Sequence, residues 1–97
     1  MQILEAADCL ESLGNATRLE IYRTLVRAGS RGSPVGELQK RLDIPASTLS
    51  HHIQHLVQRS LVSQQREGRV LRCTANYDMM NQLMHFLTAE CCRDEAC

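Results

Sequence analysis

Apolar and polar positions recur at helical spacing in several stretches of the chain, and these stretches are bounded by residues that favour helix ends. Asn15 and Asn76 suit helix N-caps, and Gly29 suits a helix C-terminus. Pro45 disfavours helical geometry at the residue before it, so it separates two helices by a tight break. The pattern predicts about five helices with these apolar stripes: Ile3, Leu4, Ala7 and Leu10; Leu19, Tyr22, Leu25 and Val26; Val35, Leu38 and Leu42; Leu49, Ile53, Leu56 and Val57; Met80, Leu83, Met84, Leu87 and Cys91.

The third and fourth helices lie close together in the sequence. We predict that Ser33 caps the third helix, with Pro34 at its first position, and that this helix continues through Leu42. Residues 43–45 then form a short turn, and the fourth helix runs over about residues 46–59. Two helices joined by such a turn form a helix-turn-helix, whose second helix enters the major groove of DNA.

The fourth helix carries a polar face opposite its apolar stripe. Short hydroxyl, amide and imidazole side chains on such a face can hydrogen-bond to base edges in a major groove. We expect His51 to contact a base and His52, which borders the apolar stripe, to be structural. The alternative is an ordinary surface helix. The residues predicted to point outward toward DNA are Ser47, Thr48, Ser50, His51, Gln54 and His55.

From Leu61 the period of the apolar pattern changes to two, on both sides of Gly68. This change predicts a two-stranded hairpin in which glycine supplies the positive φ of the turn. Arg69 lies at its tip, and Arg66 and Arg72 lie one on each strand, so the hairpin is predicted to contact DNA phosphate as a wing. A solvated hairpin without a partner is the alternative.

The fold class is therefore mainly α with a β-hairpin, a single winged helix-turn-helix domain over residues 1–97 with a cysteine-containing tail at 91–97. The first and last helices carry more apolar surface than a chain of this size can cover. We expect them to form the interface of a homodimer, which would read double-stranded DNA with an inverted repeat.

The charge distribution supports a nucleic-acid partner, although the 11 basic and 11 acidic residues cancel overall. Residues 46–75 carry a net charge of +3, whereas residues 76–97 carry −3. A basic segment followed by an acidic one suits a protein that contacts phosphate with one face only. The sequence shows neither a bilayer-spanning run nor a signal peptide, so we expect a cytoplasmic protein with no membrane partner.

The cysteines do not resemble a disulfide framework. They number five, and three of them, Cys91, Cys92 and Cys97, fall within the last seven residues. In a reducing compartment such a cluster is typical of a ligand or redox site. Cys73 alternates toward the buried face of the hairpin and is expected to be inert core, whereas Cys9 lies off the main stripe of the first helix. Nucleophilic catalysis needs a thiol in a pocket beside an oriented base, whereas the clustered thiols are expected on an exposed tail. We therefore expect no enzyme and no catalytic cofactor.

With this order of elements, the chain resembles the ArsR/SmtB family of winged-helix metalloregulatory repressors over about residues 3–90. The resemblance implies a homodimer that represses its operator until an effector binds. It is carried by Asn15-Ala16-Thr17-Arg18-Leu19 with Ile21, by Val35-Gly36-Glu37-Leu38, by Ser47-Thr48-Leu49-Ser50-His51-His52-Ile53 with Leu56, and by Leu61-Val62 before the hairpin.

Two sensory sites of the family are not matched. Many arsenic sensors carry Cys-x-Cys at the start of the third helix, where this chain has Pro34 and Gly36. Zinc sensors carry Asp-x-His early in the last helix, where this chain has Asp78 but Met80, and a distal pair where it has Cys91 and Asp94. We therefore expect neither of these sites.

The C-terminal cysteines suit a trivalent arsenic effector, with antimony as a second possibility. These ions are thiophilic and form a pyramid of short bonds to thiolates, so two or three converging cysteines are needed. Cys91 and Cys92 would point about 100° apart on a helix, so they can share an ion only if the helix frays there. Residues 93–96 give enough chain to bring Cys97 back as a third ligand for inorganic arsenite, whereas a methylated arsenical would need only Cys91 and Cys92; the sequence leaves both open. Some arsenic repressors of the family carry a similar C-terminal arrangement. The alternatives are a redox thiol switch, another soft metal, a non-sensing tail, or a winged helix that binds a protein partner.

Overall fold

The computed structural model describes residues 1–95 and has five α-helices and three strands in that range. The predicted class, mainly α with a hairpin, is confirmed. A short 3-10 helix, Gly29–Arg31, follows the second helix. The elements are α1 Ile3–Leu13, α2 Ala16–Ala28, β1 Ser33–Pro34, α3 Val35–Leu42, α4 Ala46–Gln58, β2 Val62–Glu67, β3 Val70–Ala75 and α5 Tyr77–Thr88.

Side-chain caps fix the starts of two helices as predicted. The Asn15 Oδ1 atom accepts a hydrogen bond of 3.0 Å from the amide of Arg18 at the start of α2. The Asn76 Oδ1 atom accepts one of 3.2 Å from the amide of Met79 at the start of α5. Each bond satisfies an amide that has no partner within its own helix, which is why asparagine stabilises these positions.

The sheet contains one strand that the sequence did not predict. Ser33 and Pro34 pair with β3 opposite Cys73 and Arg72, giving the antiparallel order β1-β3-β2. The prediction that Ser33 caps α3 is therefore wrong: Pro34 is the N-cap residue and makes no side-chain cap, since both residues are extended in the sheet. Gly32 is required before this strand, because a Cβ there would lie 1.9 Å from the Cys73 carbonyl oxygen.

One core fills the space between the helices and the sheet. Leu49, Ile53 and Leu56 of α4 are almost fully buried, as predicted, and they pack with Ile21 and Leu25 of α2. Cys73 is also fully buried, which confirms the prediction that it belongs to the core. This packing holds the apolar face of α4 against the body of the domain, so its opposite face is directed to solvent.

The stripes predicted on α1 and α5 lie mostly outside this core. On α1 the buried residues are Ala6, Cys9 and Ser12. Cys9 therefore does lie off the predicted stripe, but its face of the helix packs on the core and the stripe does not. On α5 only Leu83 is buried, and the helix ends before Cys91, which the sequence had included in the stripe. The large apolar side chains left exposed on these two helices are Ile3, Leu4, Leu10, Met84 and Leu87.

None of the helices within residues 1–95 combines the length and the apolar character that a membrane-spanning segment needs.

Candidate DNA interface and thiol site

The outer face of α4 presents five of the six polar side chains predicted there. Leu49, Ile53 and Leu56 pack on the core, so the side of the helix opposite these three residues is exposed to solvent. No acidic residue lies in this helix, and nothing negative on the helix itself opposes approach to phosphate. The exposed polar residues are Ser47, Thr48, Ser50, His51 and Gln54.

His55 does not share this face. Its Nδ1 atom lies 2.9 Å from the Ser12 hydroxyl of α1, and its Nε2 atom lies 3.8 Å from a Glu11 carboxylate oxygen. The prediction that this imidazole points outward is therefore wrong, since both ring nitrogens face α1. Sequence spacing alone could not reveal this, because position 55 lies at the edge of the helix face and its partner is 43 residues away.

His52 is half-buried and lies at the edge of the packed face, where the sequence placed it. Its Nδ1 atom is 3.5 Å from an Nη1 atom of Arg18, whose Nε donates a 2.8 Å hydrogen bond to the Ser12 carbonyl oxygen. Partial burial, and then the Arg18 guanidinium, lower the pKa of His52 below its usual value. A neutral imidazole at this position avoids repulsion with the guanidinium.

The hairpin presents two of its three predicted arginines to solvent. The turn holds Gly68, at φ 63°, and Arg69, and both Arg69 and Arg66 are exposed. Arg72 instead donates through Nε to Glu67, at 2.9 Å, and through Nη1 to the Arg31 carbonyl oxygen, at 3.1 Å. Its guanidinium joins the wing to the 3-10 helix, so it differs from the two freely exposed cations.

A basic groove between the end of α2 and the outer face of α3 was missed by the sequence reasoning. It is lined by Arg27, Lys40 and Arg41 together with Glu37 and Ser33. Within residues 1–95, none of its three cations forms an ion pair. The first helix of a helix-turn-helix crosses the DNA backbone. Positions 37, 40 and 41 share one face of α3 at helical spacing, and this was the signal that could have indicated the groove.

The two adjacent cysteines lie in turns beyond the last helix. Helix α5 ends at Thr88, and the backbone then turns through Glu90 at φ 59° and Cys92 at φ 65°. These turns bring the Cys91 and Cys92 Sγ atoms to 3.4 Å from each other, and both residues are exposed. The chain therefore presents a pair of neighbouring thiols to solvent. Cys97, the third predicted ligand, lies outside the described residues.

The protonation of the thiols follows from their surroundings. Hydrogen bonds to Cys91 and then to Glu95 raise the pKa of Cys92. This thiol therefore keeps its proton until an ion that binds the sulfur displaces it. Burial raises the pKa of Cys9 and of Cys73, which disfavours both as thiolate ligands. In the described part of the chain, no three His, Cys, Asp or Glu side chains are arranged to hold a metal ion.

Comparison with known proteins agrees with the helix-turn-helix fold described above. The profile of a family described as "Helix-turn-helix domain" matches residues 13–65, more than half of the chain. No curated protein sequence gives a significant match.

Solved structures are similar over most of the chain. An ArsR-like transcriptional regulator from Rhodococcus sp. RHA1 is 26% identical, with a TM-score of 0.76, over 87% of this chain and 76% of that one. HlyU from Vibrio cholerae N16961 is 29% identical, with a TM-score of 0.71, over 90% of this chain and 97% of that one. The transcriptional repressor BigR from Xylella fastidiosa is 27% identical, with a TM-score of 0.70, over 91% and 87%. The chain thus belongs to the helix-turn-helix family of the matching profile and is an ArsR/SmtB winged-helix transcriptional regulator, not an enzyme.

Proposed function

We propose that the protein is a homodimeric repressor that binds an inverted-repeat operator and releases it when trivalent arsenic, or antimony, binds Cys91 and Cys92 with Cys97 as a third ligand. The choice of effector rests on one observation, the distance of 3.4 Å between the Cys91 and Cys92 Sγ atoms. Such a repressor would act in the cytoplasm, where a reducing environment keeps these thiols free.

The sulfur distance fits a pyramidal ion. Bonds of about the length of a zinc–thiolate bond, ~2.3 Å, set near right angles would place two sulfurs roughly 3.3 Å apart. The observed pair needs almost no movement to reach this geometry. Loss of the thiol protons is the main cost, and a thiophilic ion offsets it because it forms strong bonds to thiolate.

The same geometry is less suited to an intramolecular disulfide between these cysteines. Neighbouring Cα atoms are about 3.8 Å apart, whereas unstrained disulfides join Cα atoms about 4.4–6.8 Å apart. A bond between Cys91 and Cys92 would therefore be strained and easily reduced. This argument favours the arsenic effector over a redox switch at the same pair.

Two surfaces support the DNA-binding part of the proposal. The exposed polar face of α4 would enter the major groove, with Ser50 and His51 as the residues that read bases. Arg66 and Arg69 of the hairpin would contact flanking phosphate, which contributes affinity without sequence preference. Arg72 would act indirectly, because its bond to the Arg31 carbonyl holds the wing in place.

The exposed apolar residues of α1 and α5 support the dimer. Five large apolar side chains on these helices stay exposed in the single chain, and burying them would supply the interface. Because α5 leads directly into the thiol turns, an ion bound there would alter how the two subunits are held. A 100-fold loss of operator affinity requires about 2.7 kcal/mol of coupling between the two sites.

The test is operator release, measured by fluorescence anisotropy during titrations with arsenite, antimonite, zinc and a thiol oxidant. We expect Cys91→Ser and Cys92→Ser each to bind operator normally but to stay bound when arsenite is added. Cys97→Ser should respond partly, since an added thiol or water can complete the ion's coordination. Asp94→Asn, a change at a fully exposed neighbour in the same tail, is the matched control and should respond fully.

Release of the Cys91→Ser, Cys92→Ser double variant by arsenite would contradict the proposed site. If the oxidant releases the wild-type protein from its operator when no arsenite is present, the redox alternative is favoured instead.

A further inference from the structure

Two pairs of polar side chains connect α1 to the recognition helix α4. The Ser12 Oγ atom lies 2.9 Å from the His55 Nδ1 atom, and an Asp8 carboxylate oxygen lies 3.7 Å from an Arg59 Nη1 atom. Asp8 and Ser12 are four residues apart, and so are His55 and Arg59, so the two pairs lie one helical turn from each other where the two helices face. We call these four residues the α1–α4 contact.

The Ser12 and His55 pair is the buried part of this contact. Ser12 is 0% exposed, whereas the side chain of Asp8 is more than half exposed. A buried hydroxyl destabilises the fold unless it is hydrogen-bonded, and His55 supplies the bond. If the His55 Nε2 atom carries its proton toward Glu11, the Nδ1 atom is free to accept from Ser12.

Hydrogen bonds fix an orientation that apolar packing does not. Contacts between apolar side chains are non-directional, whereas a hydrogen bond loses strength steeply as its angle changes. Two further polar links at this seam are long and weak: the Glu11 carboxylate lies 3.8 Å from the His55 Nε2 atom, and the Cys9 thiol lies 3.9 Å from the Arg59 carbonyl oxygen. The Ser12–His55 bond is therefore the main directional link between α1 and the recognition helix.

We propose that Ser12 and His55 are positioning residues for DNA binding: their bond fixes the recognition helix relative to α1 and thereby sets the operator half-site spacing that the dimer accepts. This inference rests on the proposed function, because α1 determines the distance between two recognition helices only in a dimer formed through α1. His55 then acts from the inner side of α4, without contacting a base.

The experiment measures affinity for operators whose half-sites are moved together or apart by one and two base pairs. Wild-type protein should prefer one spacing strongly. Ser12→Ala removes the hydroxyl and leaves the half-buried His55 Nδ1 atom without this partner. It should bind the best operator about 5-fold more weakly and should discriminate among spacings about 10-fold less. His55→Leu should behave alike, and His55→Asn, whose amide oxygen can replace the Nδ1 acceptor, should restore most of the spacing preference.

Controls separate positioning from a general loss of stability. Gln58→Leu changes an exposed residue of α4 outside the contact and should leave spacing preference unchanged. The Ser12→Ala, His55→Leu double variant should be no less selective than His55→Leu alone, because both changes break one bond. Thermal unfolding of each variant ensures that folded protein is compared.

The outcomes are distinct. If wild-type protein binds no operator of any spacing, the proposed function fails and this inference fails with it. If wild-type protein binds with a clear spacing preference that folded Ser12→Ala retains in full, the proposed function stands and the positioning role is overturned. An equal loss of affinity at every spacing also overturns it, because that is the signature of lower stability alone.

Discussion

Replacing Met84 and Leu87 together by aspartate should convert the proposed dimer into a folded monomer. These side chains are 59% and 56% exposed on α5, so they contribute little to the core of the single chain. Their neighbour Leu83 is 6% exposed and packs inside the domain. The same helix therefore offers an interface test and a core control on adjacent positions.

The size of the effect follows from the area that a dimer would bury. Full burial of a large apolar side chain contributes about 1.5–3 kcal/mol, so burying the exposed half of Met84 or Leu87 contributes about 1 kcal/mol. A two-fold dimer loses four such contributions, about 4 kcal/mol, before the added cost of burying carboxylates. At 1.4 kcal/mol per factor of ten, the dimer dissociation constant should rise by roughly 1,000-fold.

Sedimentation velocity over a range of concentrations measures this constant, and operator binding measured in parallel should weaken with it. In contrast, Leu83→Ala should lower the free energy of unfolding by about 2–5 kcal/mol through the cavity that it leaves in the core. An unaltered dimer in the Met84→Asp, Leu87→Asp variant would show that the interface lies elsewhere. Unfolding of that variant as a monomer would show that these side chains belong to the core.

Three further predictions test the wing, the sheet and the recognition helix. Arg69→Ala should weaken binding to all DNA sequences alike and reduce the salt slope by about 1, whereas His51→Ala should relax base preference at one position per half-site by about 1–3 kcal/mol, both measured by titration at several salt concentrations. Gly32→Ala should lower the free energy of unfolding by about 3 kcal/mol or more, because its Cβ would meet a carbonyl of β3. Gly68→Ala has the same φ of 63° but open space around it, so it should lower this free energy by only about 1–2 kcal/mol. Urea denaturation measures both. Burial and the Arg18 guanidinium of α2 lower the pKa of His52 below 6.5. As the pH falls below that value, the unfolded chain binds a proton that the folded chain does not, so the free energy of unfolding should fall. Between about pH 7.5 and about pH 5.5 the stability of His52→Gln should depend less on pH than that of the wild type, and an equal dependence would contradict this reasoning.

The features that the sequence predicted correctly depend on local chemistry. Asn15 and Asn76 cap their helices because each side chain reaches an amide only three residues away. The hairpin turns at Gly68 because only a few residues adopt positive φ readily. The burial of Leu49 and Ile53 follows from helical periodicity alone, and it directs the opposite face of α4 outward.

The features that the sequence missed depend on partners far along the chain. Ser33 forms a strand rather than a helix cap because β3, some 40 residues later, offers a free edge. His55 turns away from the outer face because Ser12 would otherwise be a buried hydroxyl without a partner. Both local predictions followed sound rules, and long-range pairing overrode each of them.

The thiol turns combine the two kinds of information. Adjacent cysteines on a continuous helix point about 100° apart, so the sequence alone required the helix to end before both sulfurs could serve one ion. The structure ends α5 at Thr88 and holds Glu90 and Cys92 at positive φ, which costs a non-glycine residue about 1 kcal/mol or more. Strained residues of this kind cluster at functional sites, where the surrounding structure retains them. Here the strained turns are the same turns that hold the Cys91 and Cys92 sulfurs 3.4 Å apart. Glu90→Gly, which removes that strain at position 90, should therefore stabilise the unliganded turn without abolishing release by arsenite.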